Sequence, residues 1–213
     1  MLTVLSVLRS GGLYDAEWVE RLQKAVRRHL SVPHEFACLS DVDVPCKRIP
    51  LVHDWPKWWA KVEIFRPGVV SGPTLYLDLD TVIVGSIDKL ASFEHDFAIM
   101  RNLNASWMPG SAVMWFRDKA PAHIYEQFAE SPESIMAQYA DPSQGCYIGD
   151  QAWIWDAMDR KIPFLTDKVP GLVRSYRRHC AAGVPEGCSV VAFGGSKKPS
   201  NAPEAWVREA WAV

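Results

Sequence analysis

The sequence predicts an α/β protein whose mixed, mainly parallel sheet is flanked by helices. Three observations support this prediction. A strand pattern, a helix pattern and a second strand pattern follow one another in the first 40 residues, an order typical of parallel sheets. Short apolar segments bounded by glycine or proline recur along the remaining chain. The 213 residues, 48% hydrophobic and 23% charged, suit one core-forming domain over residues 1–213.

The N-terminal segment predicts the first strand, helix and second strand. Residues 2–8 (LTVLSVL) are an apolar run that ends shortly before a glycine pair, which predicts a buried strand. Residues 15–30 place apolar side chains at helical spacing, and Asp15 is a suitable N-cap for this helix. Residues 34–40 (HEFACLS) alternate as the residues of a strand do.

The remaining elements follow from the same signals. Residues 41–54 contain two prolines and predict a loop, and residues 56–66 predict a helix with proline in its first turn. An apolar strand is predicted at 74–79, and residues 81–84 continue or restart it. Further strands are predicted at 96–100, 111–116 and 188–193, and further helices at 119–140 with a break at Pro132, at 150–160 and at 203–212.

Composition and charge exclude several classes of partner. The net charge of −2 gives no electrostatic basis for generic nucleic-acid binding. No apolar stretch reaches the roughly 18–20 residues that a membrane span requires, and the N-terminal apolar run is too short for a signal sequence. The five cysteines form no C-x-x-C pair, which argues against a compact zinc or redox motif, and their odd number and wide spacing are typical of reduced thiols in the cytosol. We therefore expect a cytoplasmic protein without a membrane span.

Two carboxylates interrupt the apolar segment LYLDLDTVIVG at residues 75–85. Asp78 and Asp80 point to the same face if the strand continues through them. Ligands of open α/β sheets bind at the carboxyl ends of strands, and paired oxygen ligands there favour a hard cation such as Mg²⁺ or Mn²⁺. The alternative is a pair of strand-end aspartates that cap turns.

The segment DLDTV resembles the opening signature of haloacid-dehalogenase-like phosphatases, in which the first aspartate is the nucleophile. Asp78 would then form an aspartyl-phosphate, and GDQAWIWD at 149–156 would imitate the later acidic Mg²⁺ motif of that family. The signature normally ends the first strand of its domain, whereas here a strand, a helix, a strand and a second helix are predicted before it. A phosphatase is therefore the alternative enzyme class.

Five stretches, in chain order, resemble GT-A-fold glycosyltransferases of bacteria and phages that are related to glycosyltransferase family 8. They are TVLSVLRSGGLYDAEWVERLQKAVRRHL (3–30), WWAKVEIFRPGVVSGPTLYLDLDTVIVGSID (58–88), GSAVMWF (110–116), GDQAWI (149–154) and VVAFGGSKKP (190–199). The resemblance covers nearly the whole chain and implies a single GT-A-like domain. It also implies a sugar-nucleotide-dependent hexosyl- or pentosyltransferase that acts with retention on an acceptor that the sequence does not identify.

The resemblance implies a metal and diphosphate site. Asp78 and Asp80 would hold Mn²⁺ or Mg²⁺ against the diphosphate of a nucleoside-diphosphate sugar, where the metal neutralises charge on the leaving group. Lys198 matches the late lysine of the family, which contacts phosphate, and Gly195 would allow the backbone to approach the phosphates. The alternative for Lys198 is a solvated lysine.

The resemblance also implies residues that act at the donor sugar. Asp150 and Gln151 match the D-Q pair of the family, which lies beside the sugar centre where positive charge develops, and they are the predicted catalytic residues. Lys61, in the helix before the carboxylate pair, would face the donor. The alternatives are a helix N-cap for Asp150 and a solvated helix lysine for Lys61.

The end of the first strand would bind the nucleoside in this family. The residues concerned are Val4, Leu5, Ser6 and Arg9, and Asp41 after the second strand is a weaker candidate for the same role.

The chain departs from the family where a third metal ligand is expected. That ligand is a histidine next to the phenylalanine of the last motif, whereas here Ala192 and Gly194 flank Phe193. Either fewer protein ligands hold the metal, or the chain is a catalytically inactive module that binds nucleotide sugars.

Overall fold

The computed structural model describes residues 1–117 and 121–212. Within these residues the strands, in chain order, are β1 (Leu2–Leu8), β2 (His34–Ser40), β3 (Lys47–Pro50), β4 (Thr74–Leu77), β5 (Thr81–Ile83), β6 (Phe97–Arg101), β7 (Pro109–Phe116), β8 (Val173–Ser175) and β9 (Val190–Ala192). One six-stranded sheet has the order β3-β2-β1-β4-β7-β6, and a three-stranded sheet has the order β5-β9-β8.

The helices connect and cover these strands. The α-helices are α1 (Ala16–His29), α2 (Ala122–Glu130), α3 (Pro132–Gln138), α4 (Gly149–Ala157), α5 (Leu165–Lys168), α6 (Tyr176–His179) and α7 (Ala205–Trp211). Helices of the 3₁₀ type span Lys57–Phe65, Asp88–Ala91, Pro142–Gln144 and Pro199–Asn201. In the part of the chain that the structure describes, every helix is too short or too polar to cross a membrane.

The main sheet is mixed and mainly parallel, as predicted. Strand β1 runs parallel to β2 and β4, and β2 runs parallel to β3. Strand β7 runs antiparallel to both of its neighbours, β4 and β6. All strands of this sheet except β7 therefore run in one direction, which brings the carboxyl ends of β1, β2 and β4 to one edge.

Helices cover both faces of the main sheet. On one face, Trp18 and Val26 of α1 pack in a core that includes Val4 of β1. On the other face, Phe65 of the first 3₁₀ helix packs in a core that includes Leu5 of β1. Residues of β1 thus enter two different cores, which explains why five of its seven residues are apolar.

The first strand–helix–strand unit follows the sequence prediction closely. Strands β1 and β2 have the predicted bounds, and α1 lies within the predicted range 15–30. The side chain of Asp15 accepts hydrogen bonds from the backbone N–H groups of Glu17 (3.0 Å) and Trp18 (3.4 Å), so it is the N-cap that the sequence predicts.

Other predicted elements were wrong in detail. Strand β3 lies inside the predicted loop 41–54, because a mostly exposed edge strand carries no apolar signal. The predicted helix 56–66 is a 3₁₀ helix whose side chains 59–65 are all buried. The break that the sequence predicts at Pro132 is confirmed, because the predicted helix 119–140 is divided there into α2 and α3; the first two positions of that range lie outside the described residues.

Candidate active site

A cavity of about 850 Å³ lies at the carboxyl ends of β1 and β4. Separate stretches of the chain meet in its wall, and they lie within 7–14, 54–61, 76–80, 148–151 and 193–198, together with Ser111. Its position agrees with the general location of ligand sites in open α/β sheets. The cavity is therefore the candidate active site.

The carboxylate pair lies on a turn rather than within a continuous strand. The carbonyl oxygen of Asp78 accepts hydrogen bonds from the backbone N–H (3.1 Å) and the hydroxyl (2.7 Å) of Thr81. Strand β4 consequently ends at Leu77, and β5 begins in the smaller sheet at Thr81. Asp78 and Asp80 both line the cavity from this turn.

A buried lysine connects the first aspartate to the start of α4. The ammonium of Lys61 lies 2.8 Å from Oδ1 of Asp78 and 3.1 Å from Oδ2 of Asp150. It also donates to the hydroxyl of Ser111 (2.9 Å), which in turn donates to Oδ2 of Asp150 (2.5 Å). Lys61 is 7% exposed, so the alternative of a solvated helix lysine is wrong.

Burial and charge determine the protonation of this cluster. Burial alone would lower the pKa of Lys61, but the carboxylates of Asp150 and Asp78 outweigh it and hold the pKa above its ordinary value. Burial and the neighbouring Asp78 raise the pKa of Tyr76, whose hydroxyl donates to Asp78 Oδ1 at 2.7 Å. The cluster therefore contains a charged ammonium and a neutral phenol.

The second aspartate has its own lysine. Oδ2 of Asp80 forms an ion pair with the ammonium of Lys198 and accepts a hydrogen bond from the hydroxyl of Tyr14 (2.9 Å). Burial raises the pKa of Asp80, the charge of Asp78 raises it further, and Lys198 opposes this rise. The side chain of Lys198 is 15% exposed, so the alternative of a solvated lysine is wrong.

The start of α4 is shaped by a glycine. Gly149 has a φ of +69°, and a Cβ atom there would lie 2.7 Å from Nε1 of Trp58. The N-cap position belongs to Ile148, so the alternative of Asp150 as N-cap is wrong. The next side chain, Gln151, donates to the carbonyl of Cys146 (2.7 Å). Asp150 and Gln151 both line the cavity.

The predicted nucleoside residues are only partly at the cavity. Val4, Leu5 and Ser6 are fully buried and do not line it, and Ser6 donates its hydroxyl to the carbonyl of Leu77 (2.7 Å). Their side chains therefore support the sheet rather than face the cavity. Arg9 does line the cavity.

Acidic residues hold Arg9 at the cavity rim. Its guanidinium forms ion pairs with Asp41 and Asp54, and Asp41 also accepts a hydrogen bond from the backbone N–H of Ser10 (2.8 Å).

Several cavity residues escaped the sequence prediction. Tyr14 and Ser111 contact Asp80 and Asp150, which are distant in sequence, and no local pattern marks those contacts. Tyr76 did carry a signal, because it precedes Asp78 by two positions within the same apolar segment.

The last motif contributes backbone and one lysine. Gly195 lines the cavity with a φ of +64°, a conformation that favours glycine. Ala192 and Gly194 offer no side-chain ligand, as the sequence indicates. Among the described residues, no group of three histidine, cysteine or acidic side chains is placed to hold a metal ion.

Comparison with known proteins identifies the fold. No family model matches the sequence, and no curated protein matches it significantly. Among solved structures, the apo glycosyltransferase GlyE of Streptococcus pneumoniae TIGR4 is similar, with a TM-score of 0.68, 15% identity, and coverage of 99% of this chain and 59% of GlyE.

Two further glycosyltransferases share the fold. The galactosyltransferase LgtC, solved with donor and acceptor sugar analogs, has a TM-score of 0.60 and 11% identity, with 98% of this chain and 91% of LgtC covered. The bifunctional glycosyltransferase WbbM has a TM-score of 0.59 and 11% identity, with 99% of this chain and 51% of WbbM covered.

These similarities define the class of fold. The chain has a GT-A-like glycosyltransferase fold, which confirms the resemblance seen in the sequence. It spans little more than half the length of GlyE and WbbM, and nearly the length of LgtC.

Proposed function

We propose that the protein is a metal-dependent glycosyltransferase that moves a sugar from a nucleoside-diphosphate sugar to an acceptor. The observation that carries this proposal is the meeting of three acidic side chains and two lysines in one cavity of a glycosyltransferase fold. They are Asp78, Asp80 and Asp150 with Lys61 and Lys198.

The charge of the cluster supports a divalent cation. The formal charges of these three aspartates and two lysines sum to −1, and a nucleoside diphosphate would add more negative charge to the same cavity. A divalent cation would balance that excess. Carboxylate oxygens plus substrate phosphates are the usual ligands of Mg²⁺, so Asp78 and Asp80 fit the group even without a third protein ligand. When bound, Mn²⁺ or Mg²⁺ would act as a Lewis acid toward the leaving diphosphate.

The residues of the last motif would bind the diphosphate. Lys198 already lies at Asp80, and its ammonium would neutralise phosphate charge from the same position. Gly195 presents backbone without a side chain, which permits close approach of phosphate oxygens.

We assign Asp150 and Gln151 to the reacting sugar and propose retention. Lys61 and Ser111 hold the Asp150 carboxylate in one orientation, and a carboxylate beside the anomeric carbon stabilises its positive charge. In the transfer, the acceptor oxygen bonds to the anomeric carbon as the bond to the diphosphate oxygen breaks. The hydroxyl proton leaves with the diphosphate.

The phosphatase alternative has little support in the structure. Asp78 is held by Lys61 and Tyr76 rather than free to attack a phosphate ester, and the strand before it is the fourth of the chain. An inactive module that binds nucleotide sugars is the second candidate, because among the described residues no third side chain joins Asp78 and Asp80 in a group that could hold a metal ion.

We also propose a cytoplasmic location for the protein. The five cysteines are free thiols, which is in keeping with a reducing compartment.

A donor screen with matched variants tests the proposal. The wild-type protein, Asp80→Asn, and the exposed control Asp43→Asn are compared by thermal shift with a panel of nucleoside-diphosphate sugars and Mn²⁺, and nucleoside diphosphate release is assayed in parallel. At a donor concentration about 100 times Kd, the midpoint should rise by roughly 5–10 °C. Asp80→Asn should lose both the shift and the release, whereas Asp43→Asn should keep both.

The inactive-module alternative gives a distinct result in that screen. A shift without release of nucleoside diphosphate, whatever acceptor sugar is supplied, identifies the inactive binding module. Absence of any shift with every donor contradicts the proposal.

A further inference from the structure

A tyrosine that follows the first strand contacts both charged groups of the proposed diphosphate site. The hydroxyl of Tyr14 donates to Oδ2 of Asp80 (2.9 Å), and the ammonium of Lys198 lies 5.3 Å from the centroid of the Tyr14 ring. All three side chains line the cavity. One side chain thus joins the carboxylate that is proposed to bind the metal to the lysine that is proposed to bind phosphate.

The two oxygens of the Asp80 carboxylate have different surroundings. Oδ2 accepts the hydroxyl of Tyr14 and pairs with Lys198, whereas in the part of the chain that the structure describes no hydrogen-bond donor contacts Oδ1. Both oxygens of Asp78, by contrast, are contacted by the ammonium of Lys61. Oδ1 of Asp80 is therefore the carboxylate oxygen of this pair that is left for a cation.

Aromatic packing outside the cavity holds the ring of Tyr14. Its centroid lies 4.8 Å from that of Trp18 at an interplanar angle of 69°, and Trp18 packs edge to face on Trp211 of α7 with a centroid distance of 4.7 Å. The guanidinium of Arg21 lies 4.2 Å from the Trp211 ring centroid and donates to the carbonyl of that residue (3.1 Å). Edge-to-face pairs favour a defined ring orientation, so the hydroxyl of Tyr14 has a defined position at Asp80.

Groups that bind the ligands of a metal ion from behind affect how tightly the ion is held. A carboxylate whose other oxygen is hydrogen-bonded keeps one orientation, and the loss of such an outer partner typically lowers metal affinity or activity by about 10–100-fold. This effect has more weight in a site of two aspartates, because fewer protein ligands fix the ion.

We propose that Tyr14 is a positioning residue of the diphosphate site, an inference that rests on the proposed glycosyl transfer. Its hydroxyl orients the Asp80 carboxylate and leaves Oδ1 for a divalent cation. Its ring holds the ammonium of Lys198 next to the same carboxylate. The hydroxyl therefore sets the affinity for the metal, and the ring contributes to the affinity for phosphate.

Binding of nucleoside diphosphates at increasing Mn²⁺ concentration tests this inference. The probes are UDP, GDP, ADP, CDP and dTDP, measured by equilibrium dialysis with the wild type, Tyr14→Phe and Tyr14→Leu. Tyr14→Phe should raise the Mn²⁺ concentration at half-maximal binding by about tenfold or more and leave binding in EDTA unchanged, because its ring still contacts Lys198. Tyr14→Leu should also weaken binding in EDTA, roughly twofold to fivefold, because the cation–π contact is lost as well.

Tyr139→Phe is the matched control. The hydroxyl of Tyr139 also donates to an aspartate, Asp156 (2.8 Å), but neither residue lines the cavity. Tyr139→Phe should keep the Mn²⁺ response of the wild type, and thermal midpoints check that all variants are folded. An unchanged Mn²⁺ response in Tyr14→Phe overturns the inference, and so does an equal change in Tyr139→Phe. The donor screen measures glycosyl transfer separately from both results.

The remaining outcomes separate the inference from the proposed function. A wild type whose binding of nucleoside diphosphate does not respond to Mn²⁺ overturns the inference. A wild type that binds none of the five diphosphates, with or without Mn²⁺, contradicts both. Mn²⁺-dependent binding that weakens in Tyr14→Phe, without release of nucleoside diphosphate from any sugar donor, supports the positioning role and contradicts glycosyl transfer.

Discussion

Replacement of Lys61 by methionine is the sharpest test of the buried charge cluster. Methionine keeps the length and apolar stem of the side chain but removes the ammonium between Asp78 and Asp150. Those two acidic side chains would lose a partner at 2.8 Å and 3.1 Å, and Ser111 would lose one at 2.9 Å. The carboxylate of Asp150 would then be buried, with side-chain exposure of 8%, beside a second acid.

The size of the effect follows from burial. Removal of one partner from a buried ion pair costs about 3–5 kcal/mol, because the remaining charge is desolvated without compensation. For a chain of this length, that loss corresponds to a fall in the thermal midpoint of roughly 6–20 °C. The double variant Lys61→Met/Asp150→Asn should recover part of the loss, since the charge left unpaired is then also removed.

Urea denaturation at pH 7, followed by far-UV circular dichroism, measures the free energy of unfolding. Lys24→Met is the matched control, because Lys24 is exposed and its helical ion pair with Glu20 contributes only about 0.3–0.5 kcal/mol. A loss below about 1 kcal/mol for Lys61→Met, or no recovery in the double variant, would refute the assignment of Lys61 as the compensating charge.

Three further predictions follow from single contacts. Gly149→Ala should destabilise the fold by about 1–3 kcal/mol, because the residue has a φ of +69° and the new Cβ would meet Trp58; an unchanged thermal midpoint would contradict this. Burial raises the pKa of Asp156, but hydrogen bonds from two tyrosines and an arginine lower it more, to a net value below the ordinary one. Urea denaturation should therefore show a higher free energy of unfolding for the wild type than for Asp156→Asn at pH 7, and this difference should shrink as the pH falls below about 4. A difference that does not change with pH would show that the hydrogen bonds to the Asp156 carboxylate do not contribute to stability. Ser6→Ala should lose about 1 kcal/mol of stability, because the hydrogen bond to the carbonyl of Leu77 is removed, and it should leave the KM for the donor unchanged. A raised KM would indicate that Ser6 contacts the nucleoside.

Much of the backbone was predictable because its signals are local. The bounds of β1 and β2 and the cap of α1 depend on apolar spacing and on one capping residue, all within a few positions of each other. The sequence did not predict β3 and β8, because neither strand carries a local signal of this kind. Strand β3 is an exposed edge, and β8 has only three residues that gain their structure by pairing with β9.

The candidate site was predictable in its residue types but not in its contacts. Asp78, Asp80, Asp150, Gln151 and Lys198 were all singled out from motifs, and all line one cavity. Their shared position in the cavity is observed, whereas their roles in binding and catalysis are proposed. The motifs contained no information on which lysine lies at which carboxylate.

The sequence by itself determined the α/β class, the first strand–helix–strand unit and the list of chemistry-bearing residues, because periodicity and short motifs are written in neighbouring positions. Only the tertiary structure decided that Lys61 joins Asp78 to Asp150 while Lys198 and Tyr14 hold Asp80. It also showed that Val4, Leu5 and Ser6 support the sheet. These contacts join residues far apart in the chain, so their pairing depends on how the strands and helices pack and not on any local pattern.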